Sequence, residues 1–256
     1  MKDINVLINN GINVNGSLEL LGDMDMYNET LGDFLNEVDS KLANIKMYKE
    51  MGDMENYAIL VHSLKSDSKY LGFVKLAELS YNHEMESKAN NSSYVNEHYN
   101  ELMSEAARIL SVVKLYNNVE ETSNVVTNLE TDDKKKILVV DDSNIIRNLI
   151  QKMFDNDYKV LTAEDGSQAI EIINTEYDDL VGMLLDLNMP NVNGFQVLEH
   201  LKDNNLFAKI PVSIITGDDS RETVLKAFDY PIVDVLAKPF NENDVKRVIT
   251  AMLNFK

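Results

Sequence analysis

The chain has no cysteine among its 256 residues, which excludes a disulfide framework, a thiolate nucleophile and a zinc–thiolate site. That fits a reducing cytoplasm, where we expect the protein to work. Proline and glycine are scarce, with four and ten residues, and no proline precedes Pro190. Positive charge is in deficit: 24 Lys and Arg face 43 Asp and Glu, a net charge of -19. Such a chain is repelled by nucleic-acid phosphates and anionic membrane surfaces, so neither is expected as a direct partner. Long hydrophobic runs are missing too. No stretch approaches the ~18 apolar residues of a spanning helix. The N-terminal MKDINVLINN lacks the basic end and continuous apolar core of a signal peptide, so no membrane insertion is expected. With 44% hydrophobic residues, the chain is long enough to build one or two globular domains.

The proline-free first half reads as helical. A short apolar helix is predicted over Ile4 to Asn9, and Ser17 is a candidate cap for Leu18 to Leu21. From Met26, apolar Leu31, Phe34, Leu35, Val38, Leu42 and Ile45 recur at three- and four-residue steps, the stripe of a core-facing helix. Gly52 and Asp53 break it. A second long helix runs from Met54 to Leu71 and stops at Gly72, a third covers Val74 to Ala89, and a fourth Tyr94 to Tyr116. Four such helices joined by short turns predict an antiparallel bundle over residues 1–117. The polar, mixed-charge stretch 118–134 reads as a linker.

From residue 135 to 256 the pattern alternates strand and helix five times, predicting a doubly wound five-stranded parallel sheet. The central strand, VGMLLD, runs from Val181 into Asp186 and then breaks into a loop with Asn188, Pro190, Asn191 and Gly194. In open parallel sheets, ligands sit at the carboxyl ends of the strands. Four strands here end in polar side chains: Asp141 and Asp142, Asp186, Thr216, and Lys238 followed by Pro239. Singly, each has a bland reading as an exposed lysine, a strand-end threonine or a capping aspartate pair before Ser143. Together they gather on one sheet edge. Crowded carboxylates repel, and a hard divalent cation relieves them; Mg2+ needs only one or two carboxylates and keeps waters for a phosphate. Asp186 can attack phosphorus, while the Lys238 ammonium and Thr216 hydroxyl hold phosphoryl oxygens.

The runs ILVVDDS, LLDLNMPNVNGF, SIITG and LAKPF, in this order and spacing, resemble the receiver domain of two-component response regulators over about Lys135 to Lys256. The resemblance implies Asp186 as phosphoacceptor. It implies Mg2+ ligation by Asp142, Asp186 and the Asn188 backbone carbonyl, with Asp141 acting through water. It further implies phosphoryl contacts from Thr216 and Lys238, and a cis bond before Pro239. One position departs: the aromatic residue that receivers carry three places before the lysine is Val235 here.

In the first half, His62 is followed by Lys65 and Ser66 at helical steps that share its face. A phosphoryl-accepting histidine needs exposure, a nearby cation and a small neighbour, and all three are expected here. HSLKSDSKYLG, with GDMDMYNETLGDFL before it, resembles a histidine phosphotransfer (HPt) domain over Asn15 to Tyr116, with Ser66 where that pattern has glycine. His83 and His98 lack such neighbours and are expected at the surface.

The chain has no Gly-rich phosphate loop or ATP-binding half, so it is expected to carry phosphoryl groups without being an enzyme that takes them from ATP. The halves together imply a phosphorelay intermediate whose partners are a sensor histidine kinase, a downstream receiver or an HPt protein. Two alternatives stay open: a phosphorylation-controlled binding switch that does not use His62, or the tail of a hybrid sensor kinase.

Overall fold

The computed structural model describes residues 2–117, 134–217 and 221–255. The chain forms two units, Met1–Thr131 and Asp132–Lys256. The predicted linker falls, but for its last residue, outside the described residues.

The first unit is helical: α1 (Asn5–Ile8), α2 (Val14–Leu21), α3 (Met24–Met51), α4 (Met54–Tyr70), α5 (Val74–Lys88) and α6 (Ser92–Asn117). Each of the long helices α3 to α6 packs on two of the others. The expected stripe of α3 is buried at Leu31, Phe34, Val38 and Ile45. Tyr57, Val61 and Leu64 of α4 and Leu102, Ala106, Ile109 and Val113 of α6, the two long helices that α3 packs against, are buried as well. Asp23 caps α3 by accepting from the Asp25 and Met26 amides. Asp53 caps α4 through the Asn56 amide. Two helix ends turn through left-handed glycines, Gly52 at φ 71° and Gly72 at φ 73°.

The cap of α2 differs from expectation. Asn13, not Ser17, caps it by accepting from the Gly16 amide at 3.1 Å. Ser17 lies inside the helix, buried, donating back to the Asn13 carbonyl. The Asn13 amide in turn donates to the Gly72 carbonyl at 2.9 Å, so the α4–α5 turn anchors the start of α2. A Cβ on Gly72 would lie 2.4 Å from the Asn13 carbonyl oxygen, which fixes glycine there on two counts.

The second unit alternates β1 (Lys136–Val140), α7 (Asn144–Phe154), β2 (Lys159–Ala163), α8 (Gly166–Glu176), β3 (Leu180–Asp186), α9 (Gly194–Asp203), β4 (Val212–Thr216), α10 (Arg221–Ala227), β5 (Asp234–Ala237) and α11 (Glu242–Leu253). The strands are parallel in the order β2-β1-β3-β4-β5, the flavodoxin-like doubly wound sheet. Strand β3 is central and buried on both faces, which is why its sequence is a continuous apolar run. One core cluster joins Val140, Leu185 and Ile214 to Val197, Leu198 and Leu201 of α9.

Register places the site. Val140 pairs with Leu185, and Asp186 pairs with Ile215, so one further step along β1 sets Asp141 level with Asp186. Thr216 pairs with Ala237, leaving Lys238 as the next residue out of the sheet. No helix among the described residues is long and apolar enough to cross a membrane.

Candidate functional site

At the carboxyl edge of the second sheet, Asp141 and Asp186 are fully buried and Asp142 half-buried, and each offers an oxygen within 4.8 Å of the others. Lys238 reaches back from the end of β5, its ammonium 2.6 Å from Asp141 Oδ2 and paired also with Asp186 Oδ2. Burial pushes the Asp141 carboxyl up to about 7, Asp186 and Asp142 push the same way, and Lys238 opposes them. For Lys238, burial disfavours the ammonium, but the attraction of Asp141, Asp186 and Asp142 outweighs it and raises the pKa. One ammonium among three carboxylates leaves the cluster net negative, so these side chains fit a hard divalent cation.

Local turns hold the carboxylates. The Ser143 amide donates to Asp141 Oδ1 at 3.0 Å, and Ser143 then caps α7. The Asn188 amide donates to Asp186 Oδ1 at 3.0 Å. Thr216 ends β4 buried, and its carbonyl accepts the Lys238 amide at 2.8 Å. The peptide between Lys238 and Pro239 is cis, as the resemblance implied. Every strand-end residue expected on this edge is there. Val235 is half-buried against the core cluster. The nearest aromatic before it, Tyr230, lies between Phe195 and Phe207 with its hydroxyl on Glu199.

Two supports were missed in the sequence. Gly194 starts α9 so close to the end of β3 that a Cβ would lie 2.2 Å from the Asp186 carbonyl oxygen. Asp165 caps α8 and also accepts from Asn191 Nδ2 at 3.0 Å, tying the β2–α8 turn to the loop after Asp186. Glycine after Asn193 reads only as a turn, and the Asp165 contact joins residues 26 apart in sequence; neither carries a local signal.

In the first unit, the expectation of an exposed His62 is corrected: the residue is 1% exposed, and Lys65 and Ser66 beside it are buried too. Helical spacing identified their shared face but not what faces it. Glu84 of α5, itself fully buried, accepts from His62 Nδ1 at 2.6 Å and from Lys65 Nζ at 2.6 Å. Lys88 Nζ reaches the same carboxylate at 2.8 Å. These bonds draw the imidazole and the ammonium inward, and no sequence signal 22 residues away announces them.

Burial alone would raise the Glu84 pKa, but the hydrogen bond and charge of His62, then those of Lys65, hold it well below the usual carboxylate range. The ionised carboxylate can only accept, so Nδ1 bears the proton toward it. The Lys65 ammonium lies farther from Nδ1, at 3.3 Å. Nε2, at the other side of the ring, is buried and has no hydrogen-bond partner.

His83 is corrected likewise. It is fully buried, with Nδ1 2.7 Å from the Tyr57 hydroxyl and its ring edge-on to Tyr94. The Tyr57 contact comes from another helix, which spacing along α5 does not disclose. His98 is half-buried against Tyr94, with Glu101 3.9 Å away.

A five-stranded parallel sheet of this order with three acids, a threonine and a lysine on its carboxyl edge is the arrangement of a receiver domain. Residues 137–250 match the family model described as "Response regulator receiver domain", and the chain belongs to that family. It is 32% identical over 120 residues to the chemotaxis protein CheY1 of Helicobacter pylori strain J99, covering 46% of this chain and 96% of that one. It is 32% identical over 120 residues to the alkaline phosphatase synthesis transcriptional regulatory protein PhoP of Bacillus subtilis. It is 27% identical over 124 residues to the sensor histidine kinase TmoS of Ectopseudomonas mendocina. The chain spans 48% and 12% of the lengths of those last two proteins. Among solved structures, Vibrio cholerae CheY4 is 26% identical, with a TM-score of 0.43 over 47% of this chain and 99% of that one.

Proposed function

We propose that the chain is a phosphorelay protein of two-component signalling, with Asp186 as receiver phosphoacceptor and His62 as a second acceptor on an HPt-like four-helix bundle. The phosphoryl group comes from a sensor histidine kinase or an HPt partner rather than from ATP, and leaves to a further receiver or HPt protein. In the receiver, an Asp186 oxygen forms the new O–P bond while the donor's P–N bond breaks, its electron pair returning to the donor nitrogen. Lys238 already contacts Asp186 and follows the charge onto a phosphoryl oxygen, and Thr216 offers its hydroxyl to another. Asp142, Asp186 and the Asn188 carbonyl would hold Mg2+, with Asp141 through water; the ion supplies positive charge at the phosphoryl oxygens.

The observation that carries the relay reading is the state of His62. In the neutral imidazole Glu84 holds the proton on Nδ1, so that Nε2, which has no hydrogen-bond partner, is the nitrogen that attacks. In the second step the Asp186 O–P bond breaks with its electron pair on the carboxylate, and Nε2 forms the N–P bond. Nδ1 keeps its proton, and Glu84 stabilises the charge that the ring gains.

The test is Phos-tag electrophoresis of the wild type, Asp186→Ala and His62→Gln after incubation with Mg2+ and acetyl phosphate. Label that needs Asp186, followed by acid-labile, base-stable phosphohistidine that needs His62, is expected. Failure to label Asp186 would sink the receiver chemistry. The burial of His62 favours a second reading, a binding switch driven by Asp186 alone; label confined to Asp186, with phosphorylation-dependent partner binding kept in His62→Gln, would select it.

A further inference from the structure

The face of α4 that carries His62 holds a second unsatisfied polar atom. Ser66 Oγ, like His62 Nε2, is buried and has no hydrogen-bond partner, and the two residues are 2% and 1% exposed. Four residues apart on a helix, their Cβ atoms lie about 5–6 Å from each other on one face. Buried serines of a helix ordinarily satisfy themselves on the preceding turn. Ser68 does so on the Leu64 carbonyl at 2.7 Å, and Ser87 on the His83 carbonyl at 2.6 Å. Ser66 does not. Its hydroxyl keeps a donor unused on the helix face that also carries the unpartnered Nε2 of His62.

Lysines gather around this pair. Lys65 and Lys88 both contact the Glu84 carboxylate. Lys69 stands near enough to add to the positive field felt by Lys65. The glycine of the HPt pattern at this position supplies clearance only, whereas serine supplies clearance and a donor.

We propose that Ser66 is a phosphoryl-binding residue whose hydroxyl donates a hydrogen bond to an oxygen of the group carried on His62 Nε2, favouring the phosphorylated state of this histidine. The inference rests on the relay reading of His62. No atom is transferred through Ser66: the N–P bond forms and breaks at Nε2, and the hydroxyl keeps its proton. Bonds to charged acceptors are the strong ones, and this bond is made only in the phosphorylated state.

The experiment uses the full chain with Asp186→Asn, so that only histidine can be labelled, and phosphoramidate as a direct donor. The fraction of phosphohistidine at steady state is read by Phos-tag electrophoresis, and the environment of the phosphorus by 31P NMR. His62→Gln serves as the blank. The parent is expected to label at His62. Ser66→Ala, a substitution that favours helix, is expected to lower the ratio of labelled to unlabelled protein about tenfold, which corresponds to ~1.4 kcal/mol. It should also shift the 31P resonance, while Ser66→Thr, which keeps the hydroxyl, retains most of the label. Equal or greater labelling in Ser66→Ala and Ser66→Gly would overturn the proposal and make Ser66 an obstruction. A parent that takes no label at His62, with its helical circular dichroism intact, would overturn the relay reading and this inference with it.

Discussion

At the scale of single residues, buried charge is what distinguishes the two centres from the surface around them. In the first unit the Glu84 carboxylate meets His62, Lys65 and Lys88 together. Glu84→Gln would leave the Lys65 ammonium buried without its ion pair, at a cost of about 3–5 kcal/mol to the first unit. Urea unfolding followed by helical circular dichroism measures it, and an unchanged midpoint would remove Glu84 from this role. The pH dependence has a definite sign. Because the folded pKa of Glu84 is depressed, its contribution is complete above the unfolded carboxyl value of about 4.3 and is lost as pH falls toward the folded value. Stability of the first unit should decline through the acid range below about pH 4, and the decline should be shallower in Glu84→Gln. In the second unit, Mg2+ at about 100 times its Kd should stabilise by ~2.7 kcal/mol. Scanning calorimetry should show the rise in Tm with Mg2+ and its loss in Asp142→Asn.

At the scale of elements, the chain places its chemistry at strand ends and helix starts, and tight turns fix the approach. Gly194→Ala puts a methyl group against the Asp186 carbonyl and the Leu187 Cα, both backbone atoms that cannot rotate away. The expected result is loss of acetyl phosphate labelling at Asp186 with the sheet retained; normal labelling would show that the loop after β3 yields. Strand ends were readable in the sequence because each polar residue follows an apolar run directly, so register alone brings Asp141, Asp186, Thr216 and Lys238 to one edge. Helix α4 was readable in extent, from the Asp53 cap to Gly72. Its environment was not. The burial of His62 depends on Glu84, and that of His83 on Tyr57, each from a different helix, and single-helix periodicity carries no information about a facing side chain. Ser17 misled for a local reason, since Asn13 four residues earlier holds the better-placed side-chain oxygen.

At the scale of the whole molecule, the excess of 19 negative charges predicts that the chain gives no shift of duplex DNA in a gel at about 0.15 M salt, because binding there depends on releasing phosphate counterions. A salt-sensitive complex would contradict the charge argument. The composition also concentrates meaning in few places: several lysines pair with surface acids, as Lys136 does with Glu176 and Asp179, whereas Lys65 and Lys238 are the lysines buried among the described residues. Register has a last consequence for how such a chain can change over time. Side chains along a strand alternate between faces, so one residue inserted into β3 would turn Asp186 away from Asp141 while its apolar composition stayed the same. Substitutions within the strands of this unit should therefore be tolerated far more freely than any insertion or deletion in them.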